Sequence, residues 1–201
     1  LGIISVSGGQ AGALADKAGE MGVPVPSLSE ETEAGLTAAL QFGMGFNPCD
    51  LTGEIATNPE LALTVYDGFA SEESIGTIVY ARKHLTANAG VAAGRMLGER
   101  AEKPGATPLA IYAMDGDVWG DEAEAYREHK VPVFDNLNDL YAATSRLAWW
   151  SDLQSHSLAS PIAGWADAAG KAYRGVVPAD DAMRLVKNAG LQTVEEEYST
   201  D

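Results

Sequence analysis

Apolar positions along the chain alternate between short β-rich runs and longer stretches with helical spacing. Residues 2–7 are a short apolar run ending in Ser7-Gly8-Gly9, which predicts a strand and a tight turn. Ala11, Leu14, Ala15, Ala18 and Met21 then recur at helical spacing, and Gly22 and Pro24 stop the helix. Residues 23–25 read as a short second strand. Ser29, followed by Glu30 and Glu31, reads as a helix start, where the dipole favours negative charge. That helix carries Leu36, Ala39 and Leu40 on one face and ends in the glycines of residues 43–45. Asn58-Pro59-Glu60 predicts an N-cap, a proline at the first helical position and an acidic first turn, ahead of a stripe of Leu61, Val65 and Phe69. Residues 75–80 read as the third strand, 86–100 as a small-residue helix and 108–113 as the fourth strand. Residues 121–130 follow as a polar helix and 131–134 as the fifth strand. A closing helix over 136–150 turns Leu137, Leu140, Tyr141, Thr144 and Leu147 inward.

Strands separated by helices predict an α/β fold: a three-layer α/β/α domain with an open parallel sheet, wound 2-1-3-4-5 in the flavodoxin-like manner. The expected domain is 1–150. Residues 151–177 read as a linker containing Ser, Ala, Gly and Pro. Residues 178–201 open with a helix bearing Ala182, Leu185, Val186 and Ala189 and read as the start of a further domain. A chain that begins at Leu1 and enters a core strand at once is expected to be a piece of a longer polypeptide.

Composition narrows the partners. The 201 residues are 46% hydrophobic, enough for a buried core, yet 29 acidic residues against 13 basic ones leave a net charge of −16. Such a field repels polyanions, so nucleic acid and anionic membrane surfaces are not expected partners. A lone cysteine, Cys49, excludes an internal disulfide framework, and no apolar run reaches 18 residues. A cytoplasmic protein is the expectation.

The most pointed candidate for chemistry is Ser5-Val6-Ser7-Gly8-Gly9-Gln10-Ala11-Gly12 at the first strand–helix junction. Paired glycines let backbone N–H groups face outward at the positive end of a helix, where a phosphate can sit; the alternative is a turn with no ligand. It is neither the dinucleotide fingerprint nor a P-loop, since no G-x-G-x-x-G is present and no Gly-Lys-Ser/Thr follows. Asn47-Pro48-Cys49-Asp50-Leu51-Thr52-Gly53 reads as a structural loop at the sheet mouth, with Cys49 as a small buried residue. His84, after Arg82 and Lys83 at the end of the third strand, reads as part of a solvated loop, with a share in holding an anion as the alternative. His129 reads as surface, His156 as part of the connector, and Trp149 and Trp150 as interdomain or core packing. No pair of histidines has metal-ligand spacing.

Together these motifs resemble the nucleotide-diphosphate-forming acyl-CoA synthetases, relatives of succinyl-CoA synthetase. The resemblance is to their second flavodoxin-like ligase domain. Ser7-Gly8-Gly9 with Asp16 behind it, Gly22-Val23-Pro24, Leu28-Ser29-Glu30-Glu31-Thr32 and Asn47-Pro48-Cys49-Asp50-Leu51-Thr52-Gly53 occur in the family's order. Residues 177–190 are similar to the helix that opens the family's ATP-grasp domain. The resemblance implies the reaction acyl-CoA + phosphate + ADP ⇌ acid + CoA + ATP, run through an acyl phosphate and a phosphohistidine. It assigns phosphoryl binding to Ser7, Gly8, Gly9, Gln10 and Gly12, and support of the loop to Asp16, Asn47 and Asp50. CoA, ATP/ADP and Mg²⁺ belong to the parent enzyme, with none expected to be held tightly by this chain. Implied partners are a CoA-binding domain, a first ligase domain and an ATP-grasp domain, fused or separate, with a homodimer left open. One departure matters. The family's phosphohistidine lies in a His-Thr-Gly context upstream of the glycine turn, and neither His84-Leu85-Thr86 nor His156-Ser157-Leu158 matches it. No catalytic histidine is assigned, and the chain alone is expected to be inactive. The competing expectation is a non-catalytic flavodoxin-like module that binds another ligand or regulates.

Overall fold

Strands β1 (Gly2–Ser5), β3 (Ile78–Arg82) and β4 (Leu109–Ala113) are apolar on both sides because helices cover both faces of the sheet they form. With the two-residue edge strands β2 (Cys49–Asp50) and β5 (Val133–Phe134) they make a parallel sheet of order β2-β1-β3-β4-β5. Its register pairs Ile4 with Cys49 and with Tyr80, and Tyr80 with Ile111. This computed structural model describes residues 1–85, 87–155 and 179–188. The chain divides into two units, Leu1–Ala148 and Trp149–Asp201.

Alternation along the strands sorts the core into two clusters. Ile3, Val79, Ala81 and Ala110 point to one face and meet Leu14 and Ala18 of α1 (Gly8–Glu20) and Leu140 and Tyr141 of α6 (Leu137–Ser155). Ile4, Ile78, Tyr80 and Ile111 point to the other. There they meet Leu36 of α2 (Glu30–Ala39), Val65 and Phe69 of α3 (Leu61–Ala70), Leu97 of α4 (Ala87–Ala101) and Tyr126 of α5 (Asp121–Glu128). The second unit contributes α7 (Ala179–Asn188) to the described residues.

Helix ends follow the local chemistry. α1 closes in a Schellman motif, with Val23 N–H on the Ala18 carbonyl, Gly22 N–H on that of Gly19, and Gly22 at φ +68°. α2 is capped by Ser29 Oγ accepting from Thr32 N–H. A distant residue completes that cap: Glu72, beyond α3, accepts from both the hydroxyl and the N–H of Ser29 and from the Thr32 hydroxyl.

Several expectations change. The second strand is Cys49–Asp50, not residues 23–25. Pro24 and Pro26 lack the N–H that a ladder needs. Val23 and Val25 instead pack half-buried on the α1–α6 side, while the Leu1 amine donates to the Pro24 carbonyl. Asn58 does not cap α3; the carbonyls of Asn58, Pro59 and Glu60 accept from residues 61–63 in a tighter lead-in turn. Ala39 is exposed. α6 runs on to Ser155, past the expected end at residue 150, and Leu147, expected to face inward, is exposed, as are Trp149 and Trp150. His156 and most of 151–177 lie outside the described residues.

Candidate functional site

Ser5 and Ser7 shape the exit from β1. The buried Ser5 hydroxyl accepts from Ser7 N–H (3.2 Å) and donates to the Ser7 carbonyl (3.0 Å), turning the chain within two residues. Ser7 is the extended N-cap of α1, φ −151° and ψ 123°, and its side chain makes no capping bond. Its carbonyl accepts from Ala11 N–H, leaving the N–H groups of Gly8, Gly9 and Gln10 without an acceptor among the described residues. No acidic residue occupies the first turn, so the positive end of a 13-residue helix meets solvent at exposed Gly8 and Gly9. Sheet winding reverses between β1 and β3, so the turn borders the crevice where open α/β sheets bind ligands.

The 47–53 loop flanks that turn. Asn47 Oδ1 accepts from Ile3 N–H, and its Nδ2 donates to the carbonyls of Leu1 and Pro26. The side chain thus extends the β1–β2 pairing where Pro48 has no donor. Asp50 Oδ1 accepts from Thr52 N–H (2.8 Å), and Oδ2 lies against Gly8: a Cβ there would sit 2.9 Å from it. A side chain at Gly8 would have to displace that carboxylate, which lies at the positive end of the helix. Cys49 is fully buried, and burial pushes its thiol up to about 12, far from nucleophilic. Gly12 lies exposed on α1 with open space around it. Asp16 is exposed eight residues beyond Gly8, about 12 Å along the helix axis, and makes no hydrogen bond to the loop.

Beyond β3 the structure departs from the solvated loop expected around His84. Arg82 and His84 are buried, at 4% and 7% exposure. Arg82 Nε lies 3.1 Å from Oε1 of the equally buried Glu122, though not aligned for a hydrogen bond, and its guanidinium stacks 5.3 Å from the Tyr80 ring centroid. Glu122 Oε2 accepts from Leu85 N–H (2.6 Å) and so ties the β3–α4 loop to α5. His84 faces Tyr126 and presents two ring nitrogens without a hydrogen-bond partner. Burial pushes the Glu122 carboxyl up against the pull of Arg82. Burial also opposes the Arg82 charge, but Tyr126, Tyr80 and Glu122 outweigh it and hold its pKa above the usual arginine value. The Tyr80 hydroxyl is pushed up to about 12 by burial, and that of Tyr126 further.

This ion pair was not among the residues singled out from sequence. Its signal was Glu122 four residues before Tyr126, which sets a carboxylate on the apolar face of α5. Neither described histidine reaches the glycine turn through a hydrogen bond. His129 pairs with Glu102 (2.9 Å) at the far end of α4. Among the described residues no three His, Cys, Asp or Glu side chains could hold a metal ion, and no helix is long and apolar enough to cross a membrane.

No family model matches the chain, and no curated protein matches it. Among solved structures it is similar to PH0766 from Pyrococcus horikoshii OT3, with a TM-score of 0.62 and 16% identity over 71% of this chain. The chain spans 33% of that protein's length. The shared feature is the fold: a three-layer α/β/α domain on a five-stranded parallel sheet wound 2-1-3-4-5.

Proposed function

We propose that Ser7, Gly8, Gly9, Gln10 and Gly12 hold a phosphoryl group, and that this chain is the second ligase-type domain of an ADP-forming acyl-CoA synthetase. The observation that carries the reading is the row of three N–H groups without acceptors, opening α1 at the reversal of the sheet. Fixed dipoles of this kind stabilise a dianion locally even where the molecule's overall charge repels it. The order of the Ser-Gly-Gly and Asn-Pro-x-Asp-Leu-Thr-Gly motifs supports the enzyme class. The fold shared with a protein of which this chain spans 33% fits a domain that works within a larger chain or assembly. CoA, the nucleotide and Mg²⁺ would then be held by other domains. The phosphorylated histidine would likewise be delivered from outside, because neither His84-Leu85-Thr86 nor His156-Ser157-Leu158 has the His-Thr-Gly context of the family.

One observation favours a second reading, a non-catalytic module. The Asp50 carboxylate beside Gly8 supplies negative charge to the helix start from within the chain. Titration of the ¹⁵N-labelled chain with inorganic phosphate separates the two. Phosphoryl binding predicts saturable shifts of the Gly8, Gly9 and Gln10 amides. Amides that do not move in wild type or in Asp50→Asn overturn it in favour of the module.

A further inference from the structure

Between α2 and β2 the chain runs Gln41-Phe42-Gly43-Met44-Gly45-Phe46. The two glycines are pressed against the body of the protein. A Cβ on Gly43 would meet the Asp50 carbonyl at 2.6 Å, and one on Gly45 would meet Leu36 Cβ at 2.5 Å. Hydrogen bonds pin both ends of the segment: Gln41 N–H donates to Glu54 Oε2 and Gly45 N–H to the Thr37 hydroxyl. Phe42, Met44 and Phe46 all face solvent, 73%, 63% and 48% exposed. Phe46 also walls a shallow groove floored by Ala34 and Ala38 of α2 and edged by Glu30 and Glu33. Three large apolar side chains exposed within residues 42–46, on a braced backbone, are a surface of the kind that marks a contact site.

Charge indicates the occupant. All charged side chains between Lys17 and Arg82 are acidic, so the patch is framed by carboxylates, Glu30, Glu33 and Glu54 among them. A second copy of this chain would set those carboxylates against each other. A surface with an apolar centre and a rim of lysine or arginine would match both features. We propose that residues 42–46 and the outer face of α2 are a docking surface for a protein partner of that composition. The inference does not rest on phosphoryl binding at the glycine turn.

The test uses the full 201-residue chain and two synthetic amphipathic helical peptides, one of leucine and lysine and one of leucine and glutamate. The lysine peptide is expected to bind and to shift the amides of residues 41–46. Combined Phe42→Ser, Met44→Ser and Phe46→Ser replacement should weaken it at least tenfold, since these exposed side chains contribute little to folding, which circular dichroism would verify. Glu30→Gln with Glu33→Gln should weaken it less and flatten its salt dependence. The proposal is overturned if the lysine peptide binds the triple variant as tightly as wild type, if the glutamate peptide binds equally well, or if sedimentation shows wild type dimerising through these residues.

Discussion

Two residue-scale contacts carry most of the chemistry. The first is Asp50 against Gly8, where a carboxylate and any bound anion compete for one positive helix end. Asp50→Asn is expected to tighten phosphate at the Gly8–Gln10 amides several-fold, read from the same amide titration. The second is the buried Arg82–Glu122 pair. Removing one member strands a charge in the core, so Glu122→Gln should cost about 3–5 kcal/mol in urea unfolding. Replacing both members together, Arg82→Met with Glu122→Gln, should restore part of that loss, because no charge is then left unpaired and the glutamine oxygen can still accept from Leu85 N–H.

At the scale of elements, glycine in a helix changes meaning with what faces it. Gly35 in α2 has open space where a Cβ would go, so Gly35→Ala should stabilise by about 0.5–1 kcal/mol. Gly94 in α4 faces Ala125, whose Cβ would lie 2.8 Å from a new methyl. Gly94→Ala should therefore destabilise, since overpacking costs about 1–3 kcal/mol against a smaller gain in helix propensity. Thermal melts of the two variants should move in opposite directions. The α2 cap depends on acid in a defined sense. Hydrogen bonds from Ser29 and Thr32 hold the Glu72 carboxyl below the usual glutamate value, so its contribution is complete above about pH 4.5 and is lost as the pH falls through the lowered value. A fall in the protection of the Thr32 amide below that pH, relative to its intrinsic exchange rate and absent in Glu72→Gln, is the expected signature.

At the scale of the whole molecule, Cys49 is a built-in reporter, being the chain's one cysteine, fully buried and with its thiol pushed up to about 12. Its alkylation at neutral pH should follow the denaturant dependence of unfolding; labelling independent of denaturant would mean that the two-residue edge strand β2 opens on its own. What the linear chain determined is whatever rests on near neighbours. The βα alternation, the Gly22 stop, the Ser29 cap and the glycine turn after β1 each follow from backbone geometry and hydrogen bonding over a few residues. Long-range packing decided the rest. Residues 23–25 are as apolar as a strand, but Pro24 within them and Pro26 after them cannot pair. Cys49–Asp50, looped in its local chemistry, becomes β2 because Asn47 and Leu51 complete its pairing with β1. Arg82-Lys83-His84 reads as a solvated basic turn until α5 lays Glu122 and Tyr126 over it. A residue's sequence neighbours set how its backbone bends, but whether its charge meets water or a counter-charge depends on elements that arrive from far along the chain.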